Sequence, residues 1–205
     1  MNHLQTLYTV VVALAMEQAL QSVVRLEQPY LVEASLLPYL IAFVVTLVPF
    51  YHGGLRHLDL SYIKEGHPIP KSGSMIADWT LLFLQSCLFL ALAIAVKDPT
   101  AFTKLLAVIL GFDVVWALLA HFVFTPNRGE DFAEKKWAII NTPTVVLLVL
   151  IVVVIEPSSV WSGLVLAICI LRTAIDYWWG WDFYDPVRER RTSVRVIDDK
   201  QTTAQ

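Results

Sequence analysis

A chain of 205 residues that is 57% apolar and 16% charged, with a mean hydropathy of +0.61, lacks the composition of a water-soluble globule and reads as a membrane protein. The formal charge of −3 is too small to say anything about partners by itself, and no nucleic-acid partner is expected. Six apolar segments with their loops use nearly the whole length, which leaves no room for a separate soluble catalytic or nucleic-acid-binding domain.

At about 20 apolar residues per crossing, spans are predicted at 5–24, 36–51, 76–96, 102–124, 135–155 and 160–181. The fold class is therefore an all-α, polytopic bundle of six transmembrane helices. It divides into a membrane domain, 1–181, and a cytoplasmic basic and polar tail, 182–205. The first segment carries Ala13-Leu14-Ala15, a small-x-small pattern like a signal cleavage site. No Lys or Arg precedes it, however, and Glu17, Gln18 and Gln21 fall within one span's length, so it reads as a retained helix. The second is the shortest, and Pro49 followed by Gly53-Gly54 is expected to kink it or stop it short. Small residues four apart, at Ala91/Ala95, Ala107/Gly111 and Gly163/Ala167, point to segments three, four and six as inner helices. The aliphatic run 145–155 makes the outer half of segment five lipid-facing. Cys87 and Cys169 lie inside apolar runs and read as buried small hydrophobes, not as a disulfide or metal pair.

Six crossings put both termini on one side. That side carries Arg56, Lys64, Lys71, Arg128, Lys135, Lys136, Arg188, Arg190, Arg191, Arg195 and Lys200, against Arg25, Lys97 and Lys104 on the other. The asymmetry predicts cytoplasmic termini in a plasma (inner) membrane. Tyr177, Trp178, Trp179, Trp181, Phe183 and Tyr184 then fall at the cytoplasmic interface as anchors, and Arg188, Arg190 and Arg191 meet anionic headgroups. Membrane lipids are the expected partners, with a homo-oligomer as a further expectation. The polar stretch 198–205 is expected to be disordered.

Polar residues inside the spans carry the functional reading. A guanidinium in mid-membrane, Arg172, needs a carboxylate, carbonyl or water beside it. Helical spacing lines up Glu17, Gln21 and Arg25 in the first span, Asp113, Ala117 and His121 in the fourth, and Arg172, Asp176 and Gly180 in the sixth. Gln85 in the third sits near mid-depth. Glu17, Asp113 and Asp176 around one Arg172 would leave an excess of buried negative charge, which a proton, a cation or water must offset. From this, a gating or transport network of Glu17, Gln21, Gln85, Asp113, Arg172 and Asp176 is predicted, held most directly by an Arg172–Asp113 contact. The leading function is a channel or transporter for protons, small ions or a small solute.

A second cluster, His52, His57, Asp59, Asp78 and His121, with Arg56 nearby, is expected at the cytoplasmic face. It is the basis of an alternative, a membrane-embedded metal- or His/Asp-dependent enzyme acting on a lipid or amphiphile. Zinc bound there, or haem held axially by His52 and His121, are the cofactor options; none is required. The third reading is a sensor or scaffold subunit in which buried Arg–carboxylate pairs only fix the packing. The sequence has no Gly-rich phosphate loop, HExxH, Cys-x-x-Cys or TVGYG filter.

Overall fold

The computed structural model describes residues 2–25, 31–62, 72–124, 133–155 and 158–185. Lys64, Lys71, Arg128 and the basic and polar stretches from 186 onward, all used in the charge count, lie outside the described residues, as does the side chain of Arg25. Six helices follow in order: α1 Asn2–Val23, α2 Leu37–Tyr62, α3 Ser72–Ile94, α4 Pro99–Leu119, α5 Ala133–Val154 and α6 Ser159–Tyr184. A two-residue antiparallel pairing of β1 Val24–Arg25 with β2 Leu31–Val32 closes the α1–α2 turn. Where helix starts are sharp, the cause is local. Asp98 accepts from the backbone N–H groups of Thr100 and Ala101 with Pro99 in the first turn, and Ser158 accepts from Trp161 N.

Five helical stretches are long and apolar enough to cross a membrane: Ala34–Tyr62, Met75–Lys97, Pro99–Val123, Glu134–Val154 and Val160–Tyr184. The sixth helix, α1, spans 22 residues but is diluted by Gln5, Thr9, Glu17, Gln18 and Gln21 and is not among them. The helices alternate in direction. Gln5 meets Asp59, and Ser22 meets Ala93 O, which sets α1 antiparallel to α2 and parallel to α3. The closest neighbours are α4 with α5, α1 with α3 and α2 with α6.

The expected short second span is corrected: α2 runs 26 residues straight through Gly53-Gly54, about 39 Å at the helical rise. The glycines do not break it; they let large rings approach. A Cβ on Gly54 would sit 3.0 Å from Tyr8 Oη, and one on Gly53 would sit 3.1 Å from Trp137 Cζ2. Pro49 removes the N–H that would bond Val45 O, and Thr173 Oγ1 of α6 supplies the missing donor at 2.9 Å. Of the small-residue marks, Ala95 and Ala107 lie in the packed core, whereas a Cβ on Gly111 or Gly163 would meet nothing within 4 Å, so those two glycines serve no close approach. Cys87 is exposed on α3, while Cys169 is buried, and both thiols are free.

The two ends of the bundle differ in chemistry. Around the α1 C-terminus and α6 N-terminus, Phe43, Phe89, Leu92, Phe102, Leu106 and Ile109 form a packed apolar core. Around the α1 N-terminus and α6 C-terminus, a smaller cluster of Leu58, Leu82, Trp116, Trp137 and Tyr184 surrounds buried polar groups. Apolar side chains also face outward on most helices, among them Ile41, Leu84, Val108, Val115, Val153 and Leu171. On α5, Val146, Leu147, Val149, Leu150, Val153 and Val154 point out, as the aliphatic run led one to expect.

Candidate functional site

Arg172 is buried on α6, and its nearest acid is Asp176, one turn on, with Nη1 and Oδ2 3.1 Å apart. The expected direct contact with Asp113 is replaced by a relay. Arg172 Nε donates to Asn141 Oδ1 at 2.9 Å, and Asn141 Nδ2 donates to Asp113 Oδ2 at 2.6 Å. Because Nε can only donate, it fixes the Asn141 carbonyl toward α6 and turns the amide N–H toward Asp113, which must accept. Gln85 Nε2 donates to the other Asp113 oxygen at 2.8 Å. Four helices thus meet through a single hydrogen-bonded chain of Gln85, Asp113, Asn141, Arg172 and Asp176. The Phe50 ring lies against the guanidinium, 4.7 Å from its centroid to Cζ.

Asp176 Oδ1 accepts from Trp137 Nε1 at 3.1 Å and from Tyr184 Oη at 3.2 Å. Tyr184 can fold back one face of α6 because Gly180 lies between; a Cβ there would come 3.0 Å from the Tyr184 ring. The remaining pair of atoms is different. Arg172 Nη1 and Asp176 Oδ2 are within ion-pair distance but not aligned for a hydrogen bond, and neither has another partner. Both residues border a small, open-mouthed cavity of about 20 Å³, lined also by Phe50, Leu82, Gln85, Asp113, Trp116, Trp137 and Tyr184. That space has room for about one water.

A second buried cluster stands beside it. His57 Nε2 lies 2.7 Å from Asp78 Oδ2, and His57 Nδ1 lies 2.8 Å from Glu134 Oε1. Asp78 also accepts from Tyr62 Oη at 2.6 Å and Trp116 Nε1 at 2.7 Å. With three donors on Asp78, the carboxylate form is the one that fits. One proton is then shared along the His57–Glu134 contact, which leaves the trio one negative charge in excess. Trp116 and Trp137 stack between the clusters with centroids 5.8 Å apart, each indole N–H serving a different acid.

Of the predicted residues, Gln85, Asp113, Arg172 and Asp176 come together, whereas Glu17 and Gln21 do not. Those two bond each other at 3.0 Å on the exposed face of α1. The five residues of the expected metal cluster separate. His57 and Asp78 share the buried trio, Asp59 accepts from Gln5 at 2.8 Å, and exposed His52 leans on Tyr177 and Tyr184. His121 rests on Phe122 within a π turn, Ala120–Phe124, that takes it off the Asp113–Ala117 line. Among the described residues no group of three His, Cys, Asp or Glu is arranged to hold a metal ion, and His52 and His121 keep separate neighbours. Arg56 Nε instead donates to Phe183 O at 3.2 Å, holding the end of α6.

Sequence reasoning missed Asn141 and Glu134, and it read Tyr184 only as an interfacial anchor. Asn141 stands beside Thr142 and Thr144 in the fifth span, an uncharged amide that by itself marks no site. Comparison of the chain with protein-family models, characterised proteins and solved structures finds no match.

Proposed function

We propose that this chain is an integral membrane protein that captures the polar group of a small solute or amphiphile in the Arg172–Asp176 chamber. In this reading all six helices cross as an up-and-down bundle, with both termini cytoplasmic. The five long apolar helices and their outward-facing aliphatic side chains support membrane insertion. The Lys/Arg asymmetry supports the orientation. For α1, 22 residues reach about 33 Å, and its run along α3 supports a sixth crossing.

The observation that carries the reading is the site itself: a buried pair of opposite charges, held from behind by Asn141, Trp137 and Tyr184, whose residues line a small open-mouthed cavity. A standing ion pore is disfavoured, because the other half of the bundle is filled by Phe43, Phe89, Leu92, Phe102 and Leu106, none more than 2% exposed. Transport fits only as a carrier that binds from one side. The enzyme alternative built on His52, His57, Asp59, Asp78 and His121 draws no support from their separate contacts.

Proteoliposomes test this reading. Vesicles holding the full chain should keep a proton or potassium gradient as long as protein-free vesicles do, and the chamber should be labelled saturably by a photoreactive decyl probe. A sustained leak would restore the conduit reading. Absence of saturable labelling with every head group tried would remove the binding reading.

A further inference from the structure

We propose that the outer face of α1 is an interface between two copies of this chain, packed in parallel. The inference goes beyond the binding reading and shares with it only the crossing of α1. The inner face of that helix is already used, since Tyr8, Ala15, Ala19, Ser22 and Val23 are buried and α1 packs on α3 and α2. Its outer face carries His3, Thr6, Val10, Ala13, Glu17 and Leu20, all exposed. They fall alternately three and four residues apart, the repeat of about 3.5 residues that seams one helix to another.

Lipid is a poor partner for this seam. Ser22 Oγ donates to Ala93 O, so in the parallel helices α1 and α3 Glu17 stands level with Leu88, well inside the Met75–Lys97 span. A carboxyl at that depth is costly against hydrocarbon, and intramembrane acids face other helices or cavities. Outward residues of the other helices, such as Leu84, Val108, Val115, Val146 and Leu171, are aliphatic. A second copy supplies what Glu17 lacks. Every copy inserts with the same charge-determined orientation, so two α1 seams meet in parallel across a two-fold axis, with Glu17 one turn from the partner's Gln21. Gln21 Nε2 donates one hydrogen to its own Glu17 Oε1 at 3.0 Å. Its second hydrogen is left for the partner's Glu17 Oε2, and the exchange is reciprocal. Two facing carboxyls can also share a proton, which lowers the charge the pair carries. Ala13, one turn from Glu17, gives the two backbones room to approach, and a single polar position in such a seam fixes its register.

The test uses the purified full chain in lipid vesicles, with association followed by single-molecule photobleaching as lipid is added. Wild type should remain dimeric at high dilution. In a Cys87→Ser, Cys169→Ser background, oxidation should link two copies through Val10→Cys, Ala13→Cys and Leu20→Cys, and not through Val153→Cys on the outer face of α5. Ala13→Phe adds bulk only on the exposed side of α1 and should leave monomers that still unfold cooperatively. Glu17→Leu should weaken association about tenfold, the scale of interhelical hydrogen bonds in a membrane. Glu17→Gln keeps an oxygen for the partner's Gln21 and removes the like charges, so it should associate at least as tightly as wild type. Monomeric wild type, links through Val153→Cys but not through the α1 seam, or a Glu17→Leu variant as dimeric as wild type overturns the interface while leaving the six crossings and the chamber intact. If an impermeant thiol reagent modifies Ala13→Cys from the cytoplasmic side, α1 does not cross; the six-span reading fails first, and this inference with it.

Discussion

The two buried polar clusters are neighbours across one stacked pair of tryptophans, yet they are built to different ends. Around His57, bonds close on themselves: Asp78 takes three donors from α2 and α4, and the imidazole spans from α3 to α5. Around Arg172, side-chain bonds hold Nε and Asp176 Oδ1, while Nη1 and Asp176 Oδ2 meet only each other, in residues that line a small cavity. A closed cluster in a membrane bundle acts as a clamp, because interhelical hydrogen bonds replace the hydrophobic drive that lipid cannot supply. An open one is a place for something else to bind. The clamp also has a loose atom, Glu134 Oε2.

Mutations that break this contrast rank by how many buried partners they strand. The largest loss is expected for Asp78→Asn, which weakens contacts to His57, Tyr62 and Trp116 at once and leaves His57 with one acid. About 3–5 kcal/mol, the usual cost of breaking a buried pair, should appear as a lowered unfolding midpoint in mixed micelles. Saturable labelling of the chamber in the folded fraction should survive. Next comes Asn141→Ala, which strands Arg172 Nε and Asp113 Oδ2. Two bonds to charged groups are worth about 3 kcal/mol together. Because Asp113 reaches Arg172 only through that amide, adding Asp113→Asn to it should cost far less than Asp113→Asn alone, a non-additivity read from the double-mutant cycle.

A loss of about 3 kcal/mol, the low end for breaking a buried pair, is expected for Asp176→Asn, since the amide keeps the Trp137 and Tyr184 bonds to its oxygen but leaves Arg172 without its nearest acid. It should also weaken labelling, which Asp78→Asn leaves intact. Smallest is Glu17→Gln: Glu17 is exposed and bonds only Gln21, so neither the unfolding midpoint nor labelling should move. A large response there would return Glu17 to the site.

Depth along a helix was legible in the sequence; rotation about its axis was not. Charge and hydropathy located the helices, and counting along them put Gln85, Asp113 and Arg172 at one level. Glu17 was counted to the same level, but α1 turns it outward. Asn141 escaped notice because an uncharged amide carries no signal of its own until a donor-only Arg172 Nε is seen to fix it. Gly53-Gly54 looked like a stop because flexibility is what glycine offers in isolation. In the bundle the absent Cβ atoms matter more, since they admit Tyr8 and Trp137. The metal cluster failed for a related reason: His52, His57 and Asp59 share one helix but face different neighbours.

The central claim, one open chamber below a sealed apolar half, is tested most directly by cysteine accessibility from each side of a proteoliposome. In a Cys87→Ser, Cys169→Ser background, Leu82→Cys lines the chamber and Leu92→Cys sits in the apolar core. A small membrane-impermeant thiol reagent should modify Leu82→Cys only from the side of the termini and should leave Leu92→Cys unmodified from either side. Modification of Leu92→Cys, or of Leu82→Cys from the opposite side, would mean that a water path runs through the bundle and would contradict the account.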